Sequence, residues 1–247
     1  MRLSFLISIL GLALLLTGCA GSPDNLASDD RDPFERTNRK IFTFNTKVDD
    51  VVLEPAAKGY RKMPSAVKKG LTNHVTWSSY PSTAVNSALQ GKLENAALAS
   101  IHFLMNGLTL GFVDLTDDDD PKREDFGQTL AHWNTPEGPY VVMPLLGPGS
   151  ARSHTGFIVD VLTNPLSYLG EPTVEIIQDV GIPAAALTFR GNNFEQINEI
   201  KYNSVDPYVK TRSIYFQYRE GQINDGDVSV ETESDAQFDQ FLNDDVK

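Results

Sequence analysis

One cysteine in 247 residues means that no disulfide can form within the chain. No Cys or His pair stands at the spacing of a zinc site. Histidine is also scarce, at positions 74, 102, 132 and 154, which leaves few groups able to act as a base near neutral pH. Cations are in deficit: 21 Lys and Arg against 33 Asp and Glu give a formal net charge of −12. A chain of that sign repels phosphate backbones, so nucleic acid is excluded as a partner. Long apolar runs are missing after residue 19, where nothing approaches the roughly 18 residues of a membrane-spanning helix. The alternation of a membrane barrel wall is missing too. What is present is a chain of ordinary hydrophobic content, 40%, long enough for one generous domain or two small ones.

The single cysteine lies in "LLLTGCAGSPD", residues 14–24. Arg2 supplies a positive start, and residues 3–16 are apolar except for Ser4, Ser8 and Gly11. Thr17 and Gly18 are small, as a cleavage site requires, so residues 1–18 have the layout of a removable signal peptide. The Leu16-Thr17-Gly18-Cys19 tetrad resembles a bacterial lipobox. That resemblance implies a diacylglyceryl group on the Cys19 sulfur, cleavage before it and acylation of the new amino terminus. The competing reading is an ordinary signal peptide followed by an incidental cysteine. Each buried CH2 of an acyl chain contributes about 0.8 kcal/mol, and more than one chain is needed for stable anchoring. Position 20 is Ala and not Asp, which by the same resemblance implies export to the outer membrane of a Gram-negative cell.

Residues 19–31 read as the lipidated cysteine and a small, polar, flexible tether. From residue 221 to 247 acids dominate, which predicts a disordered tail. The folded part is then 32–220. Its pattern predicts a mainly α domain with few or no strands. Asp32-Pro33-Phe34-Glu35 reads as a capped helix start, followed by an apolar stripe at Ile41, Phe44, Val48 and Val51. A second helix is expected over 80–106, with Leu89, Leu93, Ala97, Ile101 and Leu104 in one stripe. Asp206-Pro207-Tyr208 repeats the capped start, with Gly221 as the stop. Between 173 and 200, helical turns are expected to break at residues 181–183 and 191–193. The best strand is 140–143, inside "GPYVVMPLLGPG", an apolar loop bracketed by Gly and Pro that must pack on the protein's own core or on lipid.

"DPFERTNRKIFTFNTKVDDVVLEP" (32–55), "PSTAVNSALQGK" (81–92), "EDFGQTLAHW" (124–133), "GPYVVMPLLGPGSAR" (138–152) and "DPYVKTRSIYFQYR" (206–219) together resemble the MlaA (VacJ) family of outer-membrane phospholipid lipoproteins. The resemblance implies a single ring-shaped domain of amphipathic helices with Gly/Pro-rich apolar loops, lying in the inner (periplasmic) leaflet beside a trimeric porin. Phospholipid that has strayed into the outer leaflet would pass through an amphipathic channel to a soluble periplasmic carrier, keeping the membrane asymmetric. No cofactor, metal or catalytic residue is implied. The residues expected to touch lipid are Phe34, Ile41, Phe42, Phe44 and Val48 of the first helix, and Val141, Val142, Met143, Leu145 and Leu146 of the apolar loop. Polar channel candidates are Arg152, His154 and Asp160, with Lys201 and Arg212 further off. "NHVTWSSYP" (73–81), His102-Phe103, Arg152-Ser153-His154 and "DDDDPKRED" (117–125) depart from the family's usual wording.

Three rival functions have weaker footing. A hydrolase could use Ser150 or Ser153 with His154 and Asp160, but no nucleophile elbow surrounds either serine. The acids at 117–120 lack the glycine and distal Glu of a calcium loop. A tethered, periplasm-facing lipid chaperone shares every feature except embedding in the leaflet.

Overall fold

The computed structural model describes residues 30–116, 120–168 and 172–226. The signal peptide, Cys19, nearly all of the tether, the acids at 117–119 and residues 227–247 lie outside them. Helices carry the architecture: α1 (Glu35–Val48), α2 (Glu54–Arg61), α3 (Ser65–Leu89), α4 (Leu93–Gly107), α5 (Phe126–His132), α6 (Ala151–Thr163), α7 (Pro172–Asn192), α8 (Phe194–Asn198) and α9 (Pro207–Ile223). The two strands β1 (Tyr140–Met143) and β2 (Gly147–Ser150) form an antiparallel hairpin pairing Tyr140 with Ser150 and Met143 with Gly147. The domain is mainly α, as its pattern predicts.

Proline and glycine mark only some of the element boundaries. The expected 80–106 helix is instead a helical hairpin of α3 and α4, because Gly91 takes φ +77° and turns the chain. Pro81, near the start of the expected 80–106 helix, sits inside α3, buried. The stacked rings of Trp77 and Phe103, 5.4 Å apart, hold the two arms together, and the Trp77 indole donates to Phe103 O at 2.9 Å. Pro183 likewise lies within an unbroken α7, so the expected break at 181–183 does not occur, whereas the one at 191–193 does. The helix from Pro207 runs two residues past Gly221.

Two further surprises come from the ends of α1. Asp32 is not its cap: the helix starts after Phe34 with no side-chain cap, and the Asp32 carboxylate turns inward instead. At the other end the chain continues into α2 through a π-helical turn, Asp49–Leu53, matched by another at Glu199–Asn203. Two aromatic cores result. Tyr140, Val142, Tyr208 and Phe216 form one, with Ile41, Phe42 and Tyr215 packed against it. Trp77, Tyr80 and Leu166 form the other, against Phe103.

Candidate functional site

Burial is reversed on several helices. Along α4 the inward side chains are Ala99, His102 and Asn106, while Leu93 (71% exposed), Ile101 and Leu104 (69%) face outward, continued by Leu108 (78%). On α6 the inward groups are His154 and Gly156, and Phe157, Ile158 and Leu162 face out. A helix in water does the opposite. Among the described residues, nineteen buried residues are polar or charged and eleven are hydrophobic, so the interior is the wetter side of the fold in chemical character. Covering a side chain the size of Leu with an apolar medium contributes about 1.5–3 kcal/mol, so this outer surface is one that lipid stabilises and water does not. The exposed apolar groups continue past α4 in Leu110, Phe112, Val113 and Leu115. His74 stacks on Phe112 with ring centres 4.8 Å apart, and the His74 ring lies 2.6 Å from Leu110 O. Among the described residues no helix is long and apolar enough to cross a membrane.

Most of the polar interior is hydrogen-bonded, as burial requires; the buried Gln128 Oε1, Tyr140 hydroxyl, Arg152 Nε and Arg219 Nε have no hydrogen-bond partner among the described residues. Asp160 accepts from Ser82 Oγ (2.6 Å), Asn86 Nδ2 (2.8 Å) and the Phe126 N–H (2.9 Å), tying α3, α5 and α6 together. Burial raises its pKa, and those donors only partly offset the rise. Next along, Thr129 donates to Asn86 Oδ1 (2.8 Å), and Gln90 and Lys92 donate to Glu124 (2.9 and 2.8 Å). The buried Asp32 accepts from Asn38 (2.8 Å), Tyr208 and Arg212 (2.6 Å). Asn38 in turn donates to Tyr140 O (3.0 Å) and accepts from the Val142 N–H (2.9 Å), fixing β1 to α1. Between the two π-turns, Lys201 meets Asp49 (2.6 Å), Asp50 and Glu54 (3.0 Å), while Arg190 pairs with Asp49 at 2.8 Å. Asp49, Asp50 and Glu54 are close enough to share a metal ion. With Lys201 and Arg190 already set among them, their charge is spent on protein cations.

The residues expected to touch lipid divide. Phe34, Phe44, Leu145 (71% exposed) and Leu146 face outward. Ile41 and Phe42 are half-buried and pack on the aromatic core, and Val48, Val141 and Met143 are half-buried as well. Val142 is a correction: it is 1% exposed, because strand alternation turns it and Tyr140 into the core while the hairpin tip carries the outward leucines. Of the polar candidates, His154 Nε2 lies 3.0 Å from Val141 O, and burial lowers its pKa, which keeps it neutral. Arg152 donates to Thr135 O at 2.8 Å, and Asp160 serves the junction above. Arg212 and Lys201 are spent in ion pairs. Ser150 is fully buried and caps α6 by accepting from the Ser153 N–H (3.2 Å), and the Ser153 hydroxyl lies 2.8 Å from the Tyr215 hydroxyl. Neither serine is bonded to His154. The outward stripe on α4 was visible as spacing, but its meaning lay in Asn95, His102 and Asn106 on the opposite face.

The profile of the MlaA lipoprotein family matches residues 30–222, the whole of the described body but its last turn. The chain belongs to the MlaA lipoprotein family. It is 30% identical over 246 residues to the Haemophilus influenzae intermembrane phospholipid transport system lipoprotein MlaA, covering 95% of this chain and 96% of that one. The Escherichia coli lipoprotein of the same description is also 30% identical, with 94% and 93% covered. A protein of Rickettsia typhi, RT0044, is 34% identical over 211 residues, 82% of each chain. Among solved structures, a chain described under "Structural basis for maintenance of bacterial outer membrane lipid asymmetry" superimposes with a TM-score of 0.64 at 29% identity, covering 78% of this chain and 98% of that one. Family membership thus rests on the full body, from the first turn before α1 to the end of α9.

Proposed function

We propose that this MlaA-family lipoprotein removes phospholipid from the outer leaflet of the outer membrane of a Gram-negative cell and hands it to the periplasm. In this reading the acylated Cys19 and the apolar outer faces of α4 and α6 seat the domain in the inner leaflet, beside a trimeric porin. The helices ring a passage whose polar inner faces accept headgroups, and a soluble periplasmic carrier takes the lipid onward. The observation that carries the reading is the reversed amphipathicity of α4 and α6. Relatives named for phospholipid transport and a solved chain described for lipid asymmetry support it. No bond is made or broken along this route, so no catalytic group is assigned.

Gene deletion tests it: phospholipid exposed at the cell surface should rise, and EDTA and detergent should kill at lower doses. No rise in either removes the asymmetry role. The rival tethered chaperone is tested separately by Cys19→Ser in a form that is still exported. Embedding keeps that protein with membranes after a carbonate wash, whereas a chaperone is released.

A further inference from the structure

Acids and cations are not mixed evenly along the chain. Residues 55–93 contain no Asp or Glu, in a sequence that holds 33 of them, and Lys58, Arg61, Lys62, Lys68 and Lys69 all fall in that stretch. These five gather where α2 ends and α3 begins. Lys58, Arg61, Lys62 and Lys69 are exposed, and Lys68 is half-buried. Two carboxylates reach the cluster. Glu54 of α2 meets Lys58 at 2.8 Å, and Glu195 of α8 meets Arg61 at 2.8 Å. Lys62 and Lys69 meet no carboxylate among the described residues, and Lys68 Nζ donates only to Arg61 O, at 3.4 Å. Three lysine charges are thus left to the surroundings, on a chain whose net charge is −12. The same segment is oily. Met63 and Val67 are exposed among the lysines. One position after Lys69, Gly70 backs onto Phe112: a Cβ there would lie 3.4 Å from Phe112 O and 3.7 Å from the ring. Phe112 belongs to the outward apolar groups that follow α4. The lysines therefore stand at the border of the apolar surface.

We propose that Lys62, Lys68 and Lys69 form a docking surface for anionic phospholipid headgroups, at the level where the oily band of the domain gives way to water. The proposal rests on the seating of the domain in a leaflet and adds to it a requirement for lipid charge. Lysine stems lie along hydrocarbon while their ammonium groups reach outward to phosphate, which is the arrangement a border position allows. Charge complementarity selects the lipid. A zwitterionic headgroup brings an ammonium of its own that offsets the attraction, whereas a headgroup with net negative charge gains from every lysine. An acidic protein would use the three charges but would leave Met63, Val67 and the Phe112 band beside them in water.

The test uses the full chain with Cys19→Ser, so that acyl chains do not set the binding. It is purified in detergent, diluted into vesicles and cosedimented. One set of vesicles is phosphatidylcholine alone, and the other carries about a third phosphatidylglycerol. The chain should prefer the anionic vesicles by about tenfold or more in low salt, and about 1 M NaCl should erase the preference. Lys62→Gln/Lys68→Gln/Lys69→Gln should lose the preference while binding phosphatidylcholine as before, and Lys62→Arg/Lys68→Arg/Lys69→Arg should keep it. Circular dichroism checks the fold of both variants. Equal binding to the two sets, a preference that survives high salt, or a Gln variant that retains it overturns the assignment. Carbodiimide cross-links formed without lipid between these lysines and acids of residues 227–247 overturn it in favour of the chain's own acidic end. Failure to sediment with either set instead overturns the leaflet seating beneath it.

Discussion

Glu54 shows how single residues hold this fold. Its carboxylate takes Lys58 at 2.8 Å on one oxygen and Lys201 at 3.0 Å with the Tyr202 hydroxyl at 2.6 Å on the other. The donors Lys58, Tyr202 and Lys201 pull its pKa from an ordinary 4.5 to about 2. A depressed carboxylate stabilises the fold fully above its unfolded pKa, and that contribution is lost as pH falls through the folded one. Acid titration of the protein in detergent should therefore show stability falling between about pH 4.5 and pH 2, and Glu54→Gln should flatten that part of the curve. Asp32 makes a sharper case. Asp32→Ala takes the carboxylate at 2.6 Å from the buried Arg212 and strands the Tyr208 hydroxyl, so a loss of about 3 kcal/mol is expected by thermal melting. Sequence pattern misread this residue. Asp followed by Pro is the signature of a helix cap at Asp206, where it holds, and at Asp32, where Tyr208 and Arg212, two of the partners that draw it inward, lie 176 and 180 positions away. Local spacing contains no trace of such partners.

Elements obey the same division between local and distant causes. The strand at 140–143 and the start of α9 were legible because turn glycines, β-branched residues and a capping Asp act within a few positions. The hairpin turn at Gly91 and the prolines inside α3 and α7 were not, since glycine and proline mark possible breaks and tertiary packing chooses among them. The π-turns were invisible for a related reason: Lys201 and Arg190 bind the carboxylates of the first from a distant part of the chain. Two expectations belong here. Ile101→Ser and Leu104→Ser, on the outer face of α4, should leave the melting temperature in detergent unchanged and reduce cosedimentation with vesicles. The inward Asn106→Leu should do the reverse, because Leu115 N–H loses its acceptor at 2.7 Å. Separately, α5 and α6 cross so closely that a Cβ on Gly156 would lie 2.2 Å from the backbone nitrogen of Gly127. Gly156→Ala should push the helices apart, cost about 2 kcal/mol or more, and show as a lowered melting temperature.

At the scale of the molecule, motif order along the chain was the most legible property, and the side of each helix that faces outward the least. Amphipathic spacing marks two faces without saying which is inside. Only the buried His102, Asn106 and His154 reveal that the polar face was turned inward. Arg190, Arg212 and Arg219 are likewise buried, and each is paired with a carboxylate. Arg219 meets Asp125 at 2.6 Å, and although burial opposes its charge, that carboxylate raises its pKa further. The whole protein should consequently resist high salt better than exposed pairs allow, since buried pairs are weakly screened. A melt in 1 M NaCl checks this, with a shift smaller than that of Arg61→Ala, which removes the half-exposed pair to Glu195, as the reference scale.

The stretch from Cys19 to Asp32 adds a mechanical constraint. Thirteen peptide links span at most about 45 Å, which bounds the distance from Cys19 to Asp32. Its inner end is not a loose thread, because the carboxylate that closes it is knotted to both the first and the last helix at once. Any pull on the chain ahead of Asp32 therefore loads the first and last helices together, and the body should swing as one piece before anything in it gives way.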